Sequence, residues 1–259
     1  MEEKFLLNKI WSNPNRLWVL ICTHGDETLW FNVMKMIENV VDDLTFVLMN
    51  KRAFDIWKRY VEYDLNRCFL WNILEKWLDS YEYKLSQELH EILTWFDNII
   101  DIHSTNFDID PYFIIDTLEK KESILIKSAS NELIKNSYLI PLSKWTVIWP
   151  YLNAIAIESW PNNDKKKIHQ VANIVKNISN NIWFNHNNEK ELNVFWWELT
   201  KKDVFRLRED IKDFDLIAKW AILWYNEEWK IVIANEDMKL FWINNKFEDP
   251  NVLAIKLKI

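Results

Sequence analysis

The tryptophan and glycine contents of this chain are the feature that most constrains how it can fold. The 259 residues include 17 tryptophans and one glycine. A chain of this length normally carries about 18 glycines, at roughly 7 % of its residues. Glycine supplies the positive φ angles and close backbone approaches that turns require, whereas an indole obstructs both. Read literally, the chain lacks the residue with which a domain of this size makes its turns.

Many of the tryptophans stand where a turn would normally place glycine. They precede proline or asparagine, occur as a pair, or lie in a hairpin-like segment, as at Trp71, Trp149, Trp160, Trp196, Trp197 and Trp229. Tryptophan and glycine together equal the glycine content expected of such a chain. We therefore hypothesise that the source organism decodes UGA as glycine and that most of these tryptophans are glycine in the natural protein. The alternative is a protein that genuinely uses tryptophan at these positions.

The remaining composition is that of a soluble protein, with 27 % charged residues. No apolar run approaches the roughly 18 residues of a membrane span, and the N-terminus lacks the features of a signal peptide, so we expect no membrane partner and a cytoplasmic location. Two cysteines, Cys22 and Cys68, make a disulfide framework improbable. The net charge of −7 argues against a nucleic-acid partner. No pattern in the sequence indicates an oligomeric state.

Strand and helix patterns alternate through the first two thirds of the chain. Four short apolar runs are typical of buried parallel strands: residues 18–23, 45–50, 99–102 and 154–157. Apolar residues recur at helical spacing from Leu74 to Leu93 and from Ile168 to Ile182. This alternation predicts an α/β sheet covered on both faces.

The pattern changes near Asn185, where an asparagine-rich stretch leads into short strand-like pieces such as Lys230–Ala234 and Val252–Leu257. We therefore expect an α/β domain over residues 1–184 and a small β-rich domain over residues 185–259.

Three candidate metal ligands stand where predicted strands end. The first strand runs into Thr-His-Gly-Asp-Glu-Thr, in which His24 and Glu27 are three positions apart and can point to one side of a turn. His103 closes another strand, and Asp101 on the same strand face can orient its imidazole. Open α/β sheets place their sites at such strand ends. Two histidines and one glutamate, with a fourth position left to water, are the pattern of a catalytic zinc site.

A His-x-x-Glu motif also arises by chance, but here it has companions in chain order. Together the segments resemble four signature motifs of the aspartoacylase and succinylglutamate desuccinylase family. The motifs are residues 23–27; the segment 58–69 with Asn50 and Ala53 upstream; Asp101-Ile102-His103; and Ile157-Glu158-Ser159-Trp160-Pro161. The last matches the family's Glu-x-Gly-Pro only if Trp160 is glycine, and the first matches better if Trp30 is too. The resemblance runs from about residue 17 to 161, with a looser match near residues 231–235.

The resemblance implies a zinc carboxypeptidase-like fold, a mixed sheet flanked by helices, and hydrolysis of an N-acyl amino acid with one zinc ion per chain. Carried over by position, the zinc ligands are His24, Glu27 and His103. The resemblance makes Glu158 the general base, which takes a proton from the attacking water and returns it to the leaving amine.

The same resemblance assigns charged and polar anchors to the segment 58–69. Arg59 would stabilise the tetrahedral oxyanion, and Asn66 and Arg67 would hold a substrate carboxylate. Arg59 or Arg67 can instead form a structural ion pair with Asp64 or Glu62. One departure is Lys51, which stands where the family follows its asparagine with proline. No arginine occurs from residue 68 to 205, so the family's further substrate-binding arginine has no counterpart and the acyl group stays open.

Three functions remain in competition at this point. The leading one is a zinc-dependent amidohydrolase acting on a small N-acyl amino acid. A zinc carboxypeptidase acting on peptide or cell-wall fragments would use the same metal site. A non-catalytic zinc-binding module would need no general base, so Glu158 argues against it. The alternative role of Glu158 is to cap the helix that follows it.

Overall fold

The computed structural model describes a defined set of residues, and the fold is given for these alone. They are 7–8, 17–37, 44–69, 75–104, 111–115, 124–129, 138–140, 146–148, 150–151, 153–159, 164–182, 193–194, 198–200, 206–207, 216–218, 222–225, 231–233, 238–241 and 252–258. The chain divides into two compact units, Met1–Leu192 and Asn193–Ile259. The boundary expected near residue 185 lies outside the described residues, so the division into 1–184 and 185–259 stays a prediction.

Seven strands of the first unit form one mixed sheet. They are β1 (Leu7–Asn8), β2 (Leu17–Ile21), β3 (Leu44–Leu48), β4 (Asn98–Ser104), β5 (Tyr112–Ile114), β6 (Tyr138–Ile140) and β7 (Ala154–Ser159). Their order across the sheet is β1-β3-β2-β4-β7-β5-β6. The strands β3, β2, β4 and β7 run parallel, whereas β1 and β5 are antiparallel to their neighbours β3 and β7. All five residues of β3 are buried, as expected where both faces of a sheet are covered.

Helices cover this sheet. They are α1 (Leu29–Ile37), α2 (Lys51–Asp55), α3 (Leu65–Cys68), a 3₁₀ turn (Glu75–Trp77), α4 (Tyr81–Leu93), α5 (Ile124–Ser128) and α6 (Lys165–Asn181). The periodic apolar residues predicted for α4 and α6 form their buried faces. The helix predicted from Leu74 begins at Tyr81 instead, because the hydroxyl of Ser80 caps it by accepting from the Tyr83 N–H. The α/β class expected from the sequence is confirmed.

The parallel register brings the ends of the central strands to one edge of the sheet. Within the pair β4 and β7, His103 lies opposite Glu158. Strand β2 ends at Ile21, earlier than predicted, because Cys22 adopts a left-handed conformation with φ of 60°. The chain therefore turns before Thr23 and carries His24 to the same edge.

The second unit contains short strands, and those of its two sheets pair antiparallel. They are β8 (Asn193–Val194), β9 (Glu198–Thr200), β10 (Arg206–Leu207), β11 (Leu216–Ile217), β12 (Ile222–Tyr225), β13 (Ile231–Ile233), β14 (Met238–Phe241) and β15 (Val252–Lys258). One sheet has the order β10-β12-β13 and another the order β11-β14-β15-β9. The segments expected at residues 230–234 and 252–257 correspond to β13 and β15. Among the described helices of the whole chain, none is long and apolar enough to cross a membrane.

The single glycine stands where the structure admits no side chain. A Cβ atom on Gly25 would lie 2.2 Å from the carbonyl carbon of Ala53 and 2.4 Å from the nitrogen of Phe54. The backbone of α2 therefore passes directly against the loop that follows β2. The Gly25 N–H also donates to the carbonyl of Arg59 at 3.1 Å. This close approach explains why glycine is needed in the His24 loop.

Trp57 occupies a position that helices ordinarily give to glycine. It follows Ile56, the C-terminal cap of α2, and has φ of 51°. Its N–H donates to the Phe54 carbonyl, and the Lys58 N–H donates to the Ala53 carbonyl. These two bonds define a Schellman motif with Trp57 at the left-handed residue. The side chain is 65 % exposed and its ring meets that of Phe54 with centroids 5.6 Å apart, so little packing offsets the backbone strain. This supports the hypothesis that the natural residue is glycine.

At Trp30 the sign of substitution is a buried hydrogen-bond donor rather than a strained backbone. It lies in α1, is buried, and packs edge-on against Phe31 and Phe54. Its Nε1–H has no hydrogen-bond partner in the described part of the chain. A buried donor without an acceptor costs about 1–3 kcal/mol. The other tryptophans singled out from the sequence, including Trp71 and Trp160, lie outside the described residues.

The recoding hypothesis predicts that tryptophan at position 57 destabilises the protein. Two forms are compared, one with glycine at all 17 tryptophan positions and one that differs only in retaining Trp57. Retention is expected to lower the free energy of unfolding by about 1–2 kcal/mol, because a side chain in the left-handed region is strained. Chemical denaturation measures the difference.

Trp95 provides the matched control, since it is 84 % exposed and its φ is not positive. Retaining Trp95 alone is expected to change the free energy of unfolding by less than about 0.5 kcal/mol. Equal stability with and without Trp57 would contradict the backbone argument. Peptide mass spectrometry of the protein from its own organism tests the translation itself, and tryptophan at position 57 there would refute recoding at this site.

Candidate metal centre

Three buried side chains converge at the edge of the sheet where β2 and β4 end. His24 and Glu27 come from the turn after β2, and His103 is the sixth residue of β4. Their relative exposures are 2 %, 6 % and 2 %. One candidate ligand atom from each lies within 4.8 Å of the others. The structure thus brings together the three residues that the sequence indicated as metal ligands.

The two imidazoles present the same nitrogen to Glu27. Nδ1 of His24 lies 2.6 Å from Oε1 of Glu27, and Nδ1 of His103 lies 3.1 Å from Oε2. The Ser104 N–H also donates to Oε2 at 3.0 Å. The ring centroids of the histidines are 5.0 Å apart. Both Nδ1 atoms and the carboxylate therefore face one common point.

The opposite nitrogen of each imidazole is held by a second carboxylate. Nε2 of His24 lies 3.0 Å from Oδ1 of Asp64, and Nε2 of His103 lies 2.7 Å from Oδ2 of Asp101. The Thr23 hydroxyl donates to the other oxygen of Asp101 at 3.0 Å. Such carboxylate–imidazole pairs fix ring orientation and raise the basicity of the metal-facing nitrogen. The contact of Asp101 agrees with the sequence analysis.

Asp64 was not predicted in this role. The sequence suggested it only as an ion-pair partner of the arginines, because it lies 40 positions from His24. Its one local signal is the motif Asp-Leu-Asn-Arg, in which it precedes Asn66 and Arg67. In the structure its side chain caps α3 by accepting from the Asn66 N–H and also reaches His24.

The electrostatics of the cluster suit a cation. Burial alone would raise the pKa of Glu27, but His24 and His103 hold it well below its usual range. Burial alone would lower the pKa of His103, but Asp101 and Glu27 raise it well above its usual value. Two imidazole nitrogens and one carboxylate oxygen, buried and backed by further carboxylates, are a donor set that fits zinc.

Arg59 lies at the margin of this cluster. Its Nη1 is 3.2 Å from Oε1 of Glu27, and its Nη2 is 3.6 Å from Oδ2 of Asp64. About half of the side chain, 47 %, is exposed. The ion pair with Asp64 that the sequence left open is therefore present, and the same guanidinium also contacts a candidate ligand. This position places a fixed positive charge beside the three ligands.

Glu158 lies next to His103 across the sheet, in the paired position of β7. Desolvation on burial raises the pKa of Glu158 to about 7, against the opposing influence of His103. The alternative role as a helix cap is not what the structure shows. The side chain that caps α6 is Asp164, which accepts from the N–H groups of Lys166 and Lys167.

Asn66 and Arg67 lie in α3, directly after Asp64. Asn66 is buried, and its Oδ1 accepts from the Val147 N–H at 3.0 Å. That bond commits the carbonyl end of the amide to the protein and leaves the Nδ2 end to donate elsewhere. Arg67 is partly buried and contributes to the lowered pKa of Asp64, after the larger effect of His24. Asp64 therefore connects this segment to His24.

Comparisons with known proteins agree with these motifs. Residues 16–122 match the model of the succinylglutamate desuccinylase/aspartoacylase catalytic domain. A probable aspartoacylase from Nostoc sp. is 33 % identical over 153 residues, covering 52 % of this chain and 50 % of that protein. One from Trichodesmium erythraeum is 31 % identical over 104 residues, covering 35 % and 36 %. The chain thus spans about half the length, or less, of these curated relatives.

Solved structures share the fold along almost the whole chain. Murine aminoacylase 3 superposes with a TM-score of 0.67 at 18 % identity, covering 96 % of this chain and 97 % of that one. Succinylglutamate desuccinylase from Vibrio parahaemolyticus gives a TM-score of 0.67 at 13 % identity, covering 98 % and 85 %. Taken together, these comparisons show that the chain shares the fold of these proteins and that its residues 16–122 are similar to the succinylglutamate desuccinylase/aspartoacylase catalytic domain.

Proposed function

We propose that this protein is a zinc-dependent hydrolase that cleaves the amide bond of an N-acyl amino acid. The observation that carries the proposal is the position of Glu158, whose pKa is raised to about 7, in register beside the candidate ligand His103. A group with a pKa near the working pH can both take up and release a proton. A zinc-binding module without catalysis has no use for such a group.

His24, Glu27 and His103 would hold the zinc ion, with Nδ1 as the ligand atom of each histidine. When bound there, zinc supplies an acidified water and a Lewis acid for the scissile carbonyl. Asp64 and Asp101 keep the two imidazoles aimed at the ion through their Nε2 atoms. The chain offers three protein ligands, and a catalytic site of this type keeps its fourth position for water or substrate.

Glu158 acts as the proton carrier of the reaction. Its carboxylate takes a proton from the attacking water and returns it to the nitrogen of the leaving amine. Desolvation on burial raises its pKa to about 7, within the range suited to taking up and releasing a proton near neutral pH. Its place beside His103 puts the proton acceptor within the same cluster as the ligands.

Arg59 stabilises the negative charge that develops on the carbonyl oxygen. Its guanidinium already lies 3.2 Å from Glu27 and is held from behind by Asp64. A fixed cation placed before the reaction lowers the barrier without reorganisation during it. The partial exposure of its side chain leaves one face of the guanidinium open to a substrate.

Asn66 and Arg67 bind the carboxylate of the amino acid. The bond from Val147 N–H fixes the Asn66 amide with its oxygen toward Val147, so that its NH₂ end can donate to a carboxylate, and an arginine fork matches a carboxylate bidentately. Arg59 and Arg67 thus provide two positive charges for an anionic substrate in a chain of net charge −7. A peptide substrate with a free C-terminus would use the same anchor, so the carboxypeptidase alternative is separated by assay.

The first prediction concerns Glu158→Gln in the glycine-restored protein. The variant is expected to keep wild-type zinc content and substrate affinity while kcat falls by about 10²–10⁴, the usual contribution of a positioned acid–base group. Steady-state kinetics on N-acetylaspartate, N-succinylglutamate, neutral N-acyl amino acids and short peptides measure this, with zinc content measured in parallel. Full turnover by the zinc-loaded variant would contradict the assignment, and exclusive cleavage of peptides would favour the carboxypeptidase.

A second prediction concerns Arg67, the proposed anchor of the substrate carboxylate. Arg67→Ala is expected to raise KM for substrates that carry a carboxylate, with a smaller change in kcat, because the anchoring charge is used in the ground and transition states alike. Arg52→Ala is the matched control, since Arg52 stacks over Tyr81 on another element. An equal rise in KM for both variants, or no rise for Arg67→Ala, would remove Arg67 from the substrate site.

A further inference from the structure

Glu82 is a fully buried carboxylate with four hydrogen-bond donors around it. Oε1 accepts from the Val61 N–H at 2.6 Å and from Nδ2 of Asn50 at 3.3 Å. Oε2 accepts from the N–H groups of Glu62 at 3.0 Å and Tyr63 at 3.1 Å. Three consecutive backbone amides are therefore tied to one side chain on α4. No role for this residue follows from the metal site or from its motifs.

The segment that Glu82 holds is flanked by two residues of the metal centre. Arg59 lies two positions before Val61, and Asp64 directly follows Tyr63. Arg59 contacts Glu27, and Asp64 holds the imidazole of His24. A shift of the backbone at residues 61–63 would therefore move both contacts together.

Glu82 also connects this segment to the loop that carries His24. Asn50, which donates to Glu82, caps α2 through the Ala53 N–H, and its own N–H donates to the Cys22 carbonyl. Cys22 lies two residues before His24. The contact network thus runs from the metal-ligand loop through Asn50 to Glu82 and then to residues 61–63.

At the start of α4, the helix and Glu62 hold each other through hydrogen bonds in both directions. The Glu62 carboxylate accepts from the Tyr81 N–H, while the Glu62 N–H donates to Glu82. Glu82 lies in the first turn of the helix, where the helix dipole stabilises a negative charge. The helix and the segment therefore support each other, and a buried charge with this many donors is stably placed.

We propose that Glu82 is a positioning residue that holds residues 59–64 so that Asp64 and Arg59 meet the metal centre. The inference rests on the proposed function for its catalytic consequence, but its structural part concerns zinc binding and backbone order alone. Each oxygen of Glu82 accepts two hydrogen bonds. In Glu82→Gln either flip of the amide turns an NH₂ group toward two N–H donors, so two of the four bonds are lost whichever way it lies.

The test measures zinc affinity and backbone order in the glycine-restored protein. Glu82→Gln is expected to weaken zinc binding 10- to 100-fold in competition with a chelator, the usual effect of disturbing a residue that orients a metal ligand. Hydrogen exchange by mass spectrometry is expected to show lost protection at amides 61–63. The kcat/KM of the zinc-saturated variant is expected to fall up to about 100-fold, since Arg59 is displaced.

A double-mutant cycle separates positioning from general destabilisation. Asp64→Asn alone removes the negative charge behind His24, so if Glu82 acts through Asp64, the double variant loses less zinc affinity than the product of the two single losses. Glu91→Gln is the matched control, because Glu91 is exposed on the same helix and undergoes the same chemical change. Glu82→Asp keeps the charge, is expected to bind zinc more tightly than Glu82→Gln, and serves if the latter does not fold.

Wild-type zinc affinity together with wild-type amide protection in Glu82→Gln would overturn the inference. So would zinc losses that multiply fully in the double-mutant cycle. A better zinc affinity for Glu82→Gln than for Glu82→Asp would also overturn it, because side-chain length rather than charge would then matter. A wild-type protein that binds zinc but hydrolyses no N-acyl amino acid would refute the proposed function and leave this test intact.

Discussion

Two carboxylate–imidazole hydrogen bonds determine how the site of this protein is arranged. Asp64 holds Nε2 of His24, and Asp101 holds Nε2 of His103, so both Nδ1 atoms are turned toward Glu27. Without these bonds each ring could rotate and present either nitrogen. The geometry of the three candidate ligands therefore depends on two residues that are not themselves among the candidate ligands.

The two carboxylates reach their histidines in different ways. Asp101 and His103 share one strand, so their contact follows from the alternation of β4, whereas Asp64 reaches His24 only because the loop before α3 is held in place. Glu82 and the Gly25 to Arg59 backbone bond provide that hold. The anionic groups of the cluster are in turn balanced by Arg59 and the histidines.

Much of this site could be predicted from sequence, and the rest could not for a physical reason. The periods of strands and helices located His24, His103 and Glu158 at strand ends, since local patterns encode which residues a strand carries to its edge. The roles of Asp64 and Glu82 arise from contacts between loops far apart in the chain, which no local period encodes. Composition indicated that tryptophans replace glycines, and the backbone angle at Trp57 identifies one described tryptophan whose conformation favours glycine.

If carboxylates occupy Nε2 of both histidines, the two rings must bind zinc through Nδ1. Anomalous diffraction at the zinc edge on crystals of the glycine-restored protein tests it most directly. We expect one zinc ion per chain, about 2.0–2.2 Å from Nδ1 of His24, Nδ1 of His103 and a carboxylate oxygen of Glu27. The zinc ion is expected to be absent from His103→Ala. Zinc bound through Nε2, zinc at another site, or full zinc content in His103→Ala would contradict it.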